Sequence, residues 1–143
     1  MEELTINDYY DNIIIFISLK KLFMEEQIQR FDSLLKDIND NKKNISGKIN
    51  FSKLLREESI IEKRYNLLKK IEKTIIKIYT MDTSNKEFIN EINKLKELRE
   101  NEFIKETTLY NDIESFISLK LSETSEYIDN NDKIVKKFIF KRK

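Results

Sequence analysis

The residues of this chain best suited to chemistry are its carboxylates. Glu25-Glu26 and Glu57-Glu58 are adjacent pairs, and paired carboxylates are the raw material of general acid–base catalysis. Neighbours on a helix point in different directions, so neither pair converges on one substrate atom. Such pairs read as solvated helix faces. The rest of the catalytic vocabulary is missing, for the sequence has no His, no Cys and one Gly, Gly47. Without His there is no nucleophile–histidine arrangement, no imidazole base and no di-iron bundle of the Glu-x-x-His kind. Without Cys there is no thiolate nucleophile and no zinc–thiolate site. A single Gly cannot build a phosphate-cradling loop. The expectation is a non-enzymatic protein with no cofactor.

The elements that carry these residues are easier to read. The chain has 143 residues, no Pro and no Trp, with 37% charged and 39% apolar side chains. The two strongest helix breakers are almost absent, which favours long helices. Nine Phe and six Tyr supply apolar surface that disordered chains lack. Ile6, Tyr10, Ile13, Ile17, Met24, Phe31, Leu35 and Ile38 recur at helical spacing, and predict a first helix over about 4–43. "NDNKKNISGKIN" then stops it at Gly47, with Asn50 placed to cap a second helix over about 50–80. In that helix Leu54, Ile61, Leu68 and Ile75 repeat every seven residues, with Ile71 and Ile78 alongside. This is a heptad seam in which Glu57 and Arg64 occupy two positions expected to be apolar.

Ser84 and Glu87 have the spacing of a capping box, so a third helix is expected over about 84–129. Its stripe is Phe88, Ile92, Leu95, Phe103, Tyr110, Ile113, Ile117 and Leu121. "KETTLYNDIE" weakens it, and Asn111 with Glu114 has the form of a new cap. The helix therefore either runs through, the preferred reading, or breaks near Thr108. The fold class is all-α: an elongated antiparallel bundle or coiled coil of three long helices, with one or two short C-terminal helical pieces. Residues 1–132 form the bundle and 133–143 a short basic amphipathic tail.

That tail, "KIVKKFIFKRK", holds six bases and no acid, while the rest of the chain carries more acids than bases. The acidic body opposes phosphate binding, so no nucleic acid is expected as a partner. The apolar side chains Ile134, Val135, Phe138, Ile139 and Phe140 suit a short membrane-surface helix or, better, a partner-binding helix. Ahead of the apolar run "IIIFISL" stand four acids and no base, unlike a secretory signal. The run is also far shorter than the roughly 20 residues that span a bilayer. A cytoplasmic protein with no transmembrane segment is expected.

"FISLK" occurs twice, at 16–20 and 116–120, with Tyr and Ile at matching places upstream. An offset of 100 is no solenoid period, and both copies read as helices drawn from one narrow alphabet. Tyr9, Ile14, Phe16 and Leu19 broaden the apolar arc of the first helix, and the stretch from Phe116 to Ile128 shows a similar surplus. A helix apolar over so wide an arc needs another neighbour, within the chain or in a partner.

"EEQIQRFDSLLKDI" followed by "KINFSKLLREESIIEKRYNLLKKIEKTI" (Lys48 to Ile75) resembles the FlgN-type flagellar export chaperones. The likeness covers roughly Met24 to Tyr79 and is a pattern of helix and charge. It implies a cytoplasmic chaperone that escorts hook–filament junction proteins to the type III export gate. It also implies capture of a client's terminal helix through the C-terminal helical region. In this chain that region presents Phe116, Ile117, Leu121 and Ile128, joined by Ile134 and Phe138, with Phe116 and Ile117 the first anchors. The alternative is a self-associating coiled coil, a dimer built on the heptad seam. The partner is then a helical segment of a client protein, or a second copy.

Overall fold

The computed structural model describes residues 3–40 and 51–131. Among the described residues there are five helices and no strand: α1 (Ile6–Asp40), α2 (Phe51–Thr80), α3 (Phe88–Arg99), α4 (Glu102–Lys105) and α5 (Leu109–Asn131). The all-α expectation holds. The turn around Gly47, the Asn50 cap and the basic tail lie outside the described residues. Two compact units are present. The first comprises 1–15 and 71–143, the second 16–70, so α1 and α2 each contribute to both.

α1 opens on a reciprocal cap. The Thr5 amide donates to Asp8 Oδ2 at 2.8 Å and the Asp8 amide donates to Thr5 Oγ1 at 3.2 Å, which satisfies two donors that a helix start leaves orphaned. The inward stripe read from the sequence is the one observed. Ile13, Ile17 and Met24 are buried, and Ile6, Tyr10, Phe31, Leu35 and Ile38 are half-buried. On α2 the seam needs one correction. Glu58 and Tyr65, not Glu57 and Arg64, alternate with Leu54, Ile61 and Leu68 on the buried side. The repeat steps by four and then three residues from Leu54, which carries the face through 58 and 65.

The first unit holds most of the buried apolar side chains. Ile71, Ile75 and Ile78 of α2 are fully enclosed, as are Leu95 of α3, Ile104 of α4 and Ile113 of α5. Each such side chain contributes about 1.5–3 kcal/mol by leaving water. α5 packs against both α3 and α4.

The expected third helix is three helices. Ser84 does not cap it, because its amide and hydroxyl both donate to Asp82 Oδ1 at 2.9 Å. These bonds hold the Asp82 carboxyl below its usual range. Asn85 Oδ1 accepts the Glu87 amide instead, and α3 begins at Phe88. Asn101 interrupts next: its backbone is extended and its side chain accepts the Phe103 amide at 2.9 Å, starting α4. Thr107 makes the second break. Its hydroxyl donates to the Ile104 carbonyl and accepts the Leu109 amide, so α5 starts two residues before Asn111. Short polar side chains that bond to nearby backbone compete with helix, and here they win twice.

Candidate functional site

The adjacent carboxylate pairs do diverge. Glu25 and Glu26 are both exposed, and Glu25 accepts the Tyr65 hydroxyl at 2.8 Å. Glu57 is exposed while Glu58 is only 8% exposed. Glu58 meets a carboxyl from another helix, Asp32 of α1. Their shared hydrogen bond, burial, and the nearby charges of Asp32 and Glu62 push the Glu58 carboxyl up to about 7. The second oxygen of Glu58, Oε2, is buried without a hydrogen-bond partner. Partners so far apart in the chain do not read as a pair from sequence. The signal in the sequence is the place of Glu58, four residues after Leu54 and three before Ile61.

Glu25 meets Tyr65, and seven residues further along α1 Asp32 meets Glu58, seven residues earlier on α2. α1 and α2 therefore run antiparallel within the second unit. Among the described residues no group of three or more His, Cys, Asp or Glu could hold a metal ion, and no helix is long and apolar enough to cross a membrane.

The anchors expected on α5 fall in different places. Phe116 is fully buried and Ile117 nearly so. Phe116 lies 6.4 Å from both Tyr10 and Tyr79, whose rings stack at 3.8 Å between centroids. Burial, with the nearby Tyr79, Asp11 and Glu72, raises the Tyr10 hydroxyl above its ordinary value. The Tyr79 hydroxyl in turn donates to Asn7 Oδ1. One turn on, the buried Lys120 ammonium donates to the Tyr79 carbonyl at 3.1 Å and lies 3.5 Å from Glu123. A cation there satisfies one of the orphan carbonyls at the C-terminal end of α2 and complements its dipole. Phe116 and Ile117 thus belong to the core of the first unit. Leu121 is half-buried, Ile128 lies within α5, and Ile134 and Phe138 fall outside the described residues.

α3, α4 and α5 are tied around Glu100. It accepts the Tyr110 hydroxyl at 3.3 Å and pairs with Lys105 at 3.5 Å and Arg99 at 3.6 Å. The Arg99 guanidinium also lies 4.0 Å over the Tyr110 ring. These contacts are structural.

Most of the exposed large apolar side chains lie in the second unit. On α1, Leu19, Leu22 and Phe23 are 63%, 57% and 56% exposed, and Phe51, Leu55 and Ile60 of α2 are also exposed. Against them, among the described residues, the unit buries only Ile17, Met24 and Leu68 of its large apolar side chains. Leu22 and Ile28 line a shallow groove with Glu25, Glu26, Gln29 and Tyr65. A folded unit that exposes more large apolar side chains than it encloses has the character of an interaction surface. No family model, curated protein or solved structure matches the chain.

Proposed function

We propose that this chain is a non-enzymatic, helix-binding protein of chaperone or adaptor type. The observation that carries the reading is the excess of exposed over buried apolar side chains in the second unit. A client's amphipathic helix laid along that surface would supply the missing apolar neighbour, with a few large side chains giving most of the affinity. The finer reading is a FlgN-type export chaperone in the cytoplasm, drawn from the helix and charge pattern of residues 24–79. In that reading the resemblance assigns client capture to Leu121 and Ile128 with Ile134 and Phe138, while Phe116 and Ile117 hold the core of the first unit.

The test is capture from the protein's own cell lysate, followed by titration of a synthetic peptide copying the terminal helix of whatever is captured. Full-length protein is compared with Leu55→Asp and with a chain ending at Glu123. That truncation keeps Phe116, Ile117 and Lys120, so the first unit retains its core. Saturable peptide binding that weakens in either variant supports the reading. A peptide that binds all three equally removes it.

The second reading is a self-associating coiled coil with no client. The exposed apolar side chains of the second unit would suit a second copy as well as a client.

A further inference from the structure

The end of the second unit nearest Asp40 and Phe51 has no enclosed apolar core. Ile17, Met24 and Leu68, the buried apolar side chains of the unit, all lie toward its other end. Among the described residues 25–39 and 51–67 a single side chain is buried, and it is a carboxylic acid, Glu58. That acid shares a hydrogen bond with Asp32 across the helix pair, while its Oε2 has no partner. Phe31, Leu35 and Leu54 beside it are only half-buried.

We propose that Asp32 and Glu58 form a proton-held latch between α1 and α2, closed while the two carboxyls share a proton and released when both ionise. Two carboxyls within hydrogen-bonding reach need that proton, because without it the bond is lost and like charges face each other. Enclosure of Glu58 raises the cost of the second charge. Nothing basic on the packed faces offsets it. One turn either way from Glu58, the only charge on α2 is Glu62, a further acid that acts on it. One turn either way from Asp32, the only charge on α1 is Lys36, which is exposed. At the next level Glu25 accepts the Tyr65 hydroxyl. Elsewhere in the molecule an enclosed apolar core would hold the helices together through such a loss. Here that core is absent, so the end of the pair opens locally while the rest stays folded. Opening uncovers Phe31, Leu35 and Leu54.

The sign follows from where the proton sits. The closed pair holds the Glu58 carboxyl up to about 7, against an ordinary value near 4.5. Between these values the closed form keeps a proton that the open form releases. The open-to-closed ratio therefore rises with pH, by up to about tenfold per unit, and levels off above the upper value.

The chain has no Cys, so spin labels go only where cysteines are introduced. Ser33→Cys with Ser59→Cys brackets the latch from exposed positions, and Glu26→Cys with Asn66→Cys marks the end that has the core. Pulsed electron–electron resonance on the full chain reads both distances from pH 5.5 to pH 8. The first pair is expected to show one narrow distance at pH 5.5 and a longer, broader population at pH 8, with an open fraction up to about thirtyfold greater. The second pair should keep its distance. Glu58→Gln, neutral at every pH and still able to donate to Asp32, should hold the first pair closed throughout. Asp32→Asn should do the same, and carries the test if circular dichroism shows that Glu58→Gln loses helix.

A Ser33–Ser59 distance that is unchanged across the range overturns the inference. So does lengthening that persists in the carboxyl variants, or that appears equally between positions 26 and 66, which is melting of the whole unit. No client enters the measurement, so either result leaves the proposed function to its own experiment.

Discussion

The two "FISLK" copies put identical residues to opposite uses. In the first unit Phe116 is enclosed against two tyrosines, and Lys120 is 5% exposed and bonded to the carbonyl of Tyr79. In the second unit Phe16 is half-buried, Lys20 is exposed above it, and Leu19 projects into solvent. Only the Ile keeps its role, since Ile17 and Ile117 are both core. The surroundings differ in kind. Among the described residues the first unit has segments of five helices around its core, the second two antiparallel segments. A pair of helices can cover one stripe of each, and the rest of a wide apolar arc stays wet.

The comparison breaks most sharply on the phenylalanines. Phe116→Ala should lower stability by about 3–5 kcal/mol, in the range of fully buried aromatic truncations. Phe16→Ala should cost much less, with its ring half in water. Urea denaturation followed by circular dichroism measures both, and equal losses would dissolve the distinction between the units.

The lysines are next. Lys120→Met fills similar volume but leaves the Tyr79 carbonyl without its donor, at a cost of about 1–3 kcal/mol. Lys20→Met should stay within about 0.5 kcal/mol, as an exposed substitution does. Matched thermal melts decide it.

A pH series sharpens the contrast from the second unit. The folded Glu58 carboxyl titrates near 7, against an ordinary value near 4.5. Between these values the folded chain holds a proton that the unfolded chain has released. Stability should therefore fall as pH rises from about 4.5 to 7, then level off. Glu58→Gln should flatten that slope and leave the variant more stable than wild type above pH 7. A wild-type urea midpoint unchanged across the window would contradict the shared proton.

The smallest expected effect is at the first break. Asn101→Ala removes the acceptor for the Phe103 amide and should cost about 1 kcal/mol, as lost caps do. Asn101→Asp keeps the acceptor and should cost less.

Much of the fold was legible because burial imposes periodicity. The stripes of α1 and of the third segment, Phe88 through Leu121, are the buried or half-buried faces observed. The breaks at Asn101 and Thr107 were harder, since each depends on where one polar side chain sends one hydrogen bond. Spacing alone also placed the Ser84–Glu87 cap, yet Asp82 takes the Ser84 donors first. The site was less legible than the fold. Phe116 and Ile117 have the composition of an anchor, but an apolar surplus on α5 does not say which neighbour covers it. Tyr10 and Tyr79 come from distant parts of the chain, and their stack answers that for Phe116. The exposed turn at Leu19, Leu22 and Phe23 is half-visible in the sequence, since Leu19 widens the first helix's apolar arc.

The same tyrosine stack gives the protein an optical reporter of its own. With no Trp in the sequence, aromatic absorption and near-ultraviolet dichroism come chiefly from tyrosine, and rings held face to face 3.8 Å apart should couple their transitions. Helices form locally and fast, whereas this pair meets only when distant segments close on one another. In a refolding experiment the far-ultraviolet signal should therefore lead and the tyrosine couplet follow. The interval between them times the closure of the first unit without any added label.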